Sequence, residues 1–143
     1  MKTRVLLATL CDQRQMIDDC IHRATYKLFA TGAGLEISYR HTSRHCSPWT
    51  MPEQRKARIE RKTVMASESL SHMLTSLRDE SLPISPCPPM GDIYPPDMSL
   101  KFGEGFAAVS FAWNFGNPPR EWKSLDELAN AIASEVLNSR TEP

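Results

Sequence analysis

Six of the chain's eleven prolines crowd between Ser81 and Met98: Pro83, Pro86, Pro88, Pro89, Pro95 and Pro96. Proline has no backbone N–H and its ring clashes with the preceding helical turn. The stretch can therefore be neither a helix interior nor a central strand. Regular structure is confined to the residues before and after it. Its prolines alternate with Ile84, Cys87, Met90, Ile93 and Tyr94, which is not the composition of a polar linker. Loops longer than about 12–15 residues without regular structure are uncommon and often functional. The stretch reads as a stiff strap over apolar surface, inside one domain spanning residues 1–143.

The clearest pattern follows the strap. Met98, Leu100 and Phe102 alternate with Ser99 and Lys101, Gly103-Glu104-Gly105 turns the chain, and Phe106–Phe115 alternates again. Period-2 alternation on both sides of a three-residue glycine turn predicts a β-hairpin. After Asn117-Pro118-Pro119, Ser124 and Glu127 have capping-box spacing, and Leu125, Leu128, Ile132 and Val136 form a helical stripe.

Before the strap, Leu35–Thr42 alternates and predicts a strand with one wet side, followed by a loop over Ser43–Thr50. Leu6, Leu10, Ile17, Ile21, Ala24 and Leu28 recur close to multiples of 3.6 and predict a helix over Arg4–Ala30, ended by Thr31-Gly32-Ala33-Gly34. A rival reading makes Thr3–Leu10 a strand and starts the helix near Asp12. Ile59, Thr63, Ala66, Leu70, Met73, Leu74 and Leu77 predict a long helix over Pro52–Asp79, with Thr50 and Glu53 as its capping box. The expected fold is α+β: an antiparallel sheet of three or more strands with three helices mainly on one face, in the order α-β-α-β-β-α.

A chain of this length buries roughly 68–70% of its unfolded surface, so its core needs neither metal nor disulfide. Cys11, Cys20, Cys46 and Cys87 contain no CxxC pair and read as reduced thiols. The apolar run Val5–Cys11 is short and meets Asp12 and Arg14 at once, unlike a secretory leader. No apolar stretch approaches the ~20 residues that span a bilayer. A soluble, cytoplasmic protein is expected.

Charge is uneven along the chain. Residues 1–62 carry 12 Lys/Arg against 6 Asp/Glu, and residues 63–143 carry 5 against 11. The basic excess gathers between Arg40 and Lys62. Arg44, Arg55, Lys56, Arg58, Arg61 and Lys62 form a candidate surface for a nucleic acid or a protein partner. On the expected helix, Arg55, Arg58 and Lys62 line one side, with Trp49 upstream as a stacking group. The chain's neutrality opposes this, because an acidic half repels a polyanion unless it faces away.

His41, His45 and Cys46 are the only compact set of metal-ligand types, but they lack a standard zinc spacing, so neither a metal nor another cofactor is implied. No nucleophile turn or phosphate loop is present, which argues against an enzyme. Ala108, Ser110 and Ala112 form a small-residue strand face that suits close helix packing. If they instead leave a cavity, Tyr39, Met90, Phe111 and Trp113 are its expected walls. By elimination the sequence points to a non-catalytic interaction protein of the accessory, inhibitor, immunity or chaperone-like kind. Such a protein would self-associate as a homodimer through the Pro52–Asp79 helix or a sheet edge. Nucleic-acid binding and binding of a small apolar ligand are the alternatives.

Overall fold

The computed structural model describes residues 4–13, 20–45, 58–78, 97–103, 108–114 and 118–138. They form a six-stranded antiparallel sheet and two helices. The strands are β1 (Val5–Asp12), β2 (Cys20–Thr31), β3 (Gly34–His45), β4 (Arg58–Met65), β5 (Met98–Phe102) and β6 (Val109–Trp113). The helices are α1 (Glu68–Arg78) and α2 (Lys123–Asn138), the latter preceded by a 3-10 turn over Arg120–Trp122. Spatial order is β4-β3-β2-β1-β5-β6. The first four strands form a meander, and the chain then crosses to the other side of β1 to add the β5–β6 hairpin.

This overturns the expected α-β-α-β-β-α order with three helices. Arg4–Ala30 is not a helix but contains β1 and most of β2, and only the strand half of the rival reading survives. The apolar spacings misled because an offset of four suits both periods. Leu10 and Leu28 are buried, but so are Ala8, two residues before Leu10, and Ala24 and Tyr26, four and two before Leu28, in strand register. The β-branched and aromatic content of β2 (Ile21, Thr25, Tyr26, Phe29 and Thr31) favours a pleated surface over a helix. Thr31–Gly34 is correspondingly a hairpin turn, with Gly34 at φ 129° and the Thr31 hydroxyl donating to the Gly34 carbonyl at 3.0 Å.

The expected Pro52–Asp79 helix is divided. Its described part is strand up to Met65 and helix only from Glu68; Thr50, Glu53 and the start of that helix lie outside the described residues. Ser67 makes the break. Its hydroxyl accepts from the Leu70 N–H at 3.3 Å, the N-cap arrangement of α1. Glu135 of α2 in turn accepts from the Ser67 N–H at 3.2 Å, which ties the two helices together. The strap falls outside the described residues apart from its last two positions.

Both helices cover one face of the sheet. Ala8 and Leu10 of β1, Leu28 of β2, Ile37 of β3 and Leu100 of β5 share a core with Leu70 of α1 and with Leu125, Leu128, Ile132 and Val136 of α2. In β6, Phe111 and Trp113 join this core, whereas Ser110 and Ala112 are exposed and pack under no described helix. Trp122 meets Phe111 edge-on at 5.0 Å, and the Trp113 indole donates to Asp126 at 3.0 Å. Ser124 lies inside α2, because the 3-10 turn takes the place of a simple cap. Among the described residues no helix is long and apolar enough to cross a membrane.

Candidate nucleic-acid interface

Strand alternation decides what the second face of the sheet carries. With Ala24, Tyr26 and Leu28 turned to the core, Arg23, Thr25 and Lys27 project the other way. The same rule puts Ser38, Arg40 and Thr42 of β3, Arg61 and Thr63 of β4, and Lys101 of β5 on that side. Arg23, Lys27, Arg40, Arg61 and Lys101 are all exposed, and no described element packs over them.

Register gathers four of these cations around Arg40. Arg40 stands opposite Arg61 on β4 and opposite Thr25 on β2. Directly facing residues have Cβ atoms about 4.5–5.5 Å apart. Arg23 and Lys27 flank Thr25 along β2, so each is a diagonal neighbour of Arg40, within about 7–8 Å. Lys101 extends the set, since it faces Thr9 of β1, which faces Lys27. A depression of about 430 Å³ lies among Lys27, Ser38, Arg40, Arg61 and Thr63. Like charges placed directly opposite one another destabilise a strand pair, so the Arg40–Arg61 pair is costly without an anion.

No described carboxylate relieves it. Among the described residues none of the five cations is paired with an acid. Glu36, the acidic residue of this face on β3, is held by Arg4. The Arg4 guanidinium also lies 3.6 Å above the centre of the Phe29 ring, covering the one aromatic group of β2 on this side. Carboxylates collect instead in the helical layer, where α1, α2 and the 3-10 turn carry Glu68, Glu121, Asp126, Glu127 and Glu135 against Arg78, Arg120 and Lys123.

The structure distributes the sequence-derived candidates unevenly. Arg61 belongs to the cationic face. Lys62 points to the helix side, opposite Tyr39. Arg44 and Arg58 lie in β3 and β4, with backbones paired to Ile21 and Ser43, and Arg55 and Lys56 lie outside the described residues. The expected helical line of Arg55, Arg58 and Lys62 does not form, because Arg58–Met65 is extended. Arg23, Lys27 and Lys101 were missed. Their signal was the alternation of Arg23-Ala24-Thr25-Tyr26-Lys27-Leu28, readable once that segment is taken as a strand.

Tyr39 is buried on β3, while Phe111 and Trp113 are buried on β6. Four strand spacings, about 19 Å, separate β3 from β6, so these residues share a core and not one cavity wall. Met90 lies outside the described residues. An apolar depression of about 610 Å³ does exist elsewhere, between α1 and the sheet, lined by Leu7, Ala30, Leu35, Leu74 and Phe102. His41 meets His22 of β2; His45 is in β3 with its backbone opposite Cys20, and Cys46 lies outside the described residues. No protein-family model, curated protein or solved structure matches the chain.

Proposed function

We propose that this protein binds single-stranded nucleic acid through the uncovered face of its sheet, by contact with the phosphate backbone. The observation that carries the reading is the cluster of Arg23, Lys27, Arg40 and Arg61 on three adjacent strands, extended by Lys101 and paired with no acid among the described residues. Neutralising phosphates releases condensed counterions, which supplies most of the affinity in sequence-indifferent binding. Hydroxyls of Thr25, Ser38 and Thr63 between the cations add donors for phosphate oxygens.

The dimensions favour a single strand. The cations spread from β4 to β5, four strand spacings or about 19 Å, whereas the B-DNA major groove is about 12 Å wide. A flexible strand can lie across such a face. With Phe29 under Arg4, base stacking contributes little, so recognition should be electrostatic and nearly blind to sequence. The acidic helical layer lies behind the sheet, which meets the condition that neutrality imposed on this reading.

The test is fluorescence anisotropy with labelled 20-nucleotide DNA and RNA strands at 50 mM salt. Binding to strands of unrelated sequence is expected, with loss in the Arg40→Glu/Arg61→Glu double variant. Absence of binding by the wild type, or equal binding by a folded double variant, overturns the proposal. A clear preference for polyglutamate over oligonucleotides of equal charge would assign the face to an acidic protein partner instead.

A further inference from the structure

Outside the cationic face, one cluster has the chemistry of a ligand site. His22 Nδ1 and His41 Nε2 lie 3.2 Å apart on the helix side of the sheet, from residues nineteen apart in sequence. The register explains the meeting. Ala24 faces His41 and His22 faces Ser43, which makes the two histidines diagonal neighbours on β2 and β3. Their ring centroids are 5.3 Å apart. With the nitrogens at 3.2 Å, the rings approach edge to edge, nitrogen towards nitrogen.

We infer that His22 and His41 form a two-histidine site for a divalent late transition metal, Cu²⁺ being the tightest-binding and Zn²⁺ an alternative occupant. Two imidazole nitrogens at 2.0–2.1 Å from a tetrahedral ion are about 3.3–3.4 Å apart, and at a right angle about 2.9 Å apart. The observed 3.2 Å falls between those bites. The two nitrogens are within hydrogen-bond distance of each other. A metal ion enters between them when each ring turns about χ2, a broad torsion that permits the movement at little cost. Imidazole suits copper, nickel and zinc, and affinity peaks at Cu²⁺ along the divalent series.

Among the described residues no group of three or more His, Cys, Asp or Glu gathers, so water completes the coordination of an ion held by this pair. Both rings are half-buried, which leaves a path for the ion to enter. Along the same two strands the backbone register continues to Cys20 opposite His45, residue types that ligate the same metals. This site is separate from the cationic face and stands whether or not nucleic acid binds there.

The experiment uses the full chain without a histidine tag and Cu²⁺ as the probe. Titration should reach one tight Cu²⁺ per chain, and pulsed electron paramagnetic resonance should report two imidazoles on it. His22→Gln and His41→Gln should each weaken binding at least tenfold, whereas His72→Gln, an exposed histidine of α1, should leave it unchanged. The proposal is overturned by an unsaturable titration, by a wild-type spectrum with fewer than two imidazoles, or by undiminished binding in a folded His22→Gln/His41→Gln variant. The wild-type spectrum decides on its own if the variants do not fold.

Discussion

Replacing Arg40 by Gln separates electrostatic binding from structural support. In the wild type, Arg23, Lys27, Arg40 and Arg61 can each neutralise one phosphate of a single strand. The logarithm of affinity then falls against that of salt with a slope of about −0.7 per phosphate, or about −2.8 for four. Between 50 and 200 mM salt this is about a 50-fold loss of affinity. Without Arg40 the slope becomes about −2.1 and the loss about 18-fold. Stability should move the other way, because Arg40 faces Arg61 directly. Removing one of two facing like charges relieves about 0.2–1 kcal/mol, an upward Tm shift of at most about 4 °C for a chain of this size. Anisotropy titrations at four salt concentrations give the slopes, and differential scanning calorimetry gives the Tm. An unchanged slope in a variant with wild-type Tm would refute the placement of Arg40 at the centre of the interface. A fall in Tm of several degrees would refute the claim that the facing arginines are a structural cost.

Three further outcomes follow from the packing. Asp126→Ala removes the acceptor of the Trp113 indole N–H and should cost about 1–3 kcal/mol in urea unfolding, with Asp126→Asn retaining most of the stability. Gly34→Ala should destabilise, because Gly34 has φ 129° while an added Cβ would meet only Met65 Cε at an ordinary 3.6 Å. Gly32→Ala, with open space around it, should be neutral or stabilising by up to about 1 kcal/mol; matched thermal melts compare the two. If the chain self-associates through a sheet edge, β6 is the edge to expect. Val109, Ser110 and Ala112 are exposed and uncharged there, while β4 carries Arg61 and Lys62, cations of the kind that block edge pairing. Sedimentation at 100 µM should then show a dimer, and a monomer would remove that reading.

The parts of the fold legible in the sequence are those where only one period fits. Met98-Ser99-Leu100-Lys101-Phe102 has no helical reading, and β5 occupies those residues. Leu35–Thr42 is equally unambiguous and lies within β3. In β2, by contrast, Ala24 and Leu28 are four apart, which places them on one side of either a helix or a strand, and in β1 a bulge between Leu6 and Ala8 breaks the alternation that would mark a strand. Tertiary pairing decided between them. The candidate site inherited this error. On a helix of Arg4–Ala30, Arg23 and Lys27 share a side with each other but not with Arg40; they become neighbours of Arg40 once Thr31–Gly34 is a hairpin turn. The β2–β3 register runs from that turn to Cys20 opposite His45, so the same turn sets both the Arg40 cluster and the His22–His41 contact. Neither was visible while the turn was read as a helix end.

Counting charge along the chain also obscured how it is sorted. Segment totals average over residues that alternation sends to opposite faces, such as Arg61 and Lys62. By face, the side that no described element covers gathers Arg23, Lys27, Arg40, Arg61 and Lys101, and the helical layer holds most of the described carboxylates. Layers pack about 10 Å apart, and a helix is about 10–12 Å across. Carboxylates on the outer side of α1 and α2 therefore lie on the order of 15 Å behind the cations. At 0.15 M salt the Debye length is about 8 Å, so a strand on the open face is largely shielded from them. At 0.01 M it is about 30 Å, longer than the molecule is thick, and the acidic layer then cancels part of the attraction. The salt dependence of binding should accordingly be steep above about 50 mM and flatten towards 10 mM, whereas a uniformly basic surface would keep gaining affinity. A plot that stays straight down to 10 mM would mean that the carboxylates do not lie behind the sheet, and the two-faced arrangement of charge would have to be abandoned.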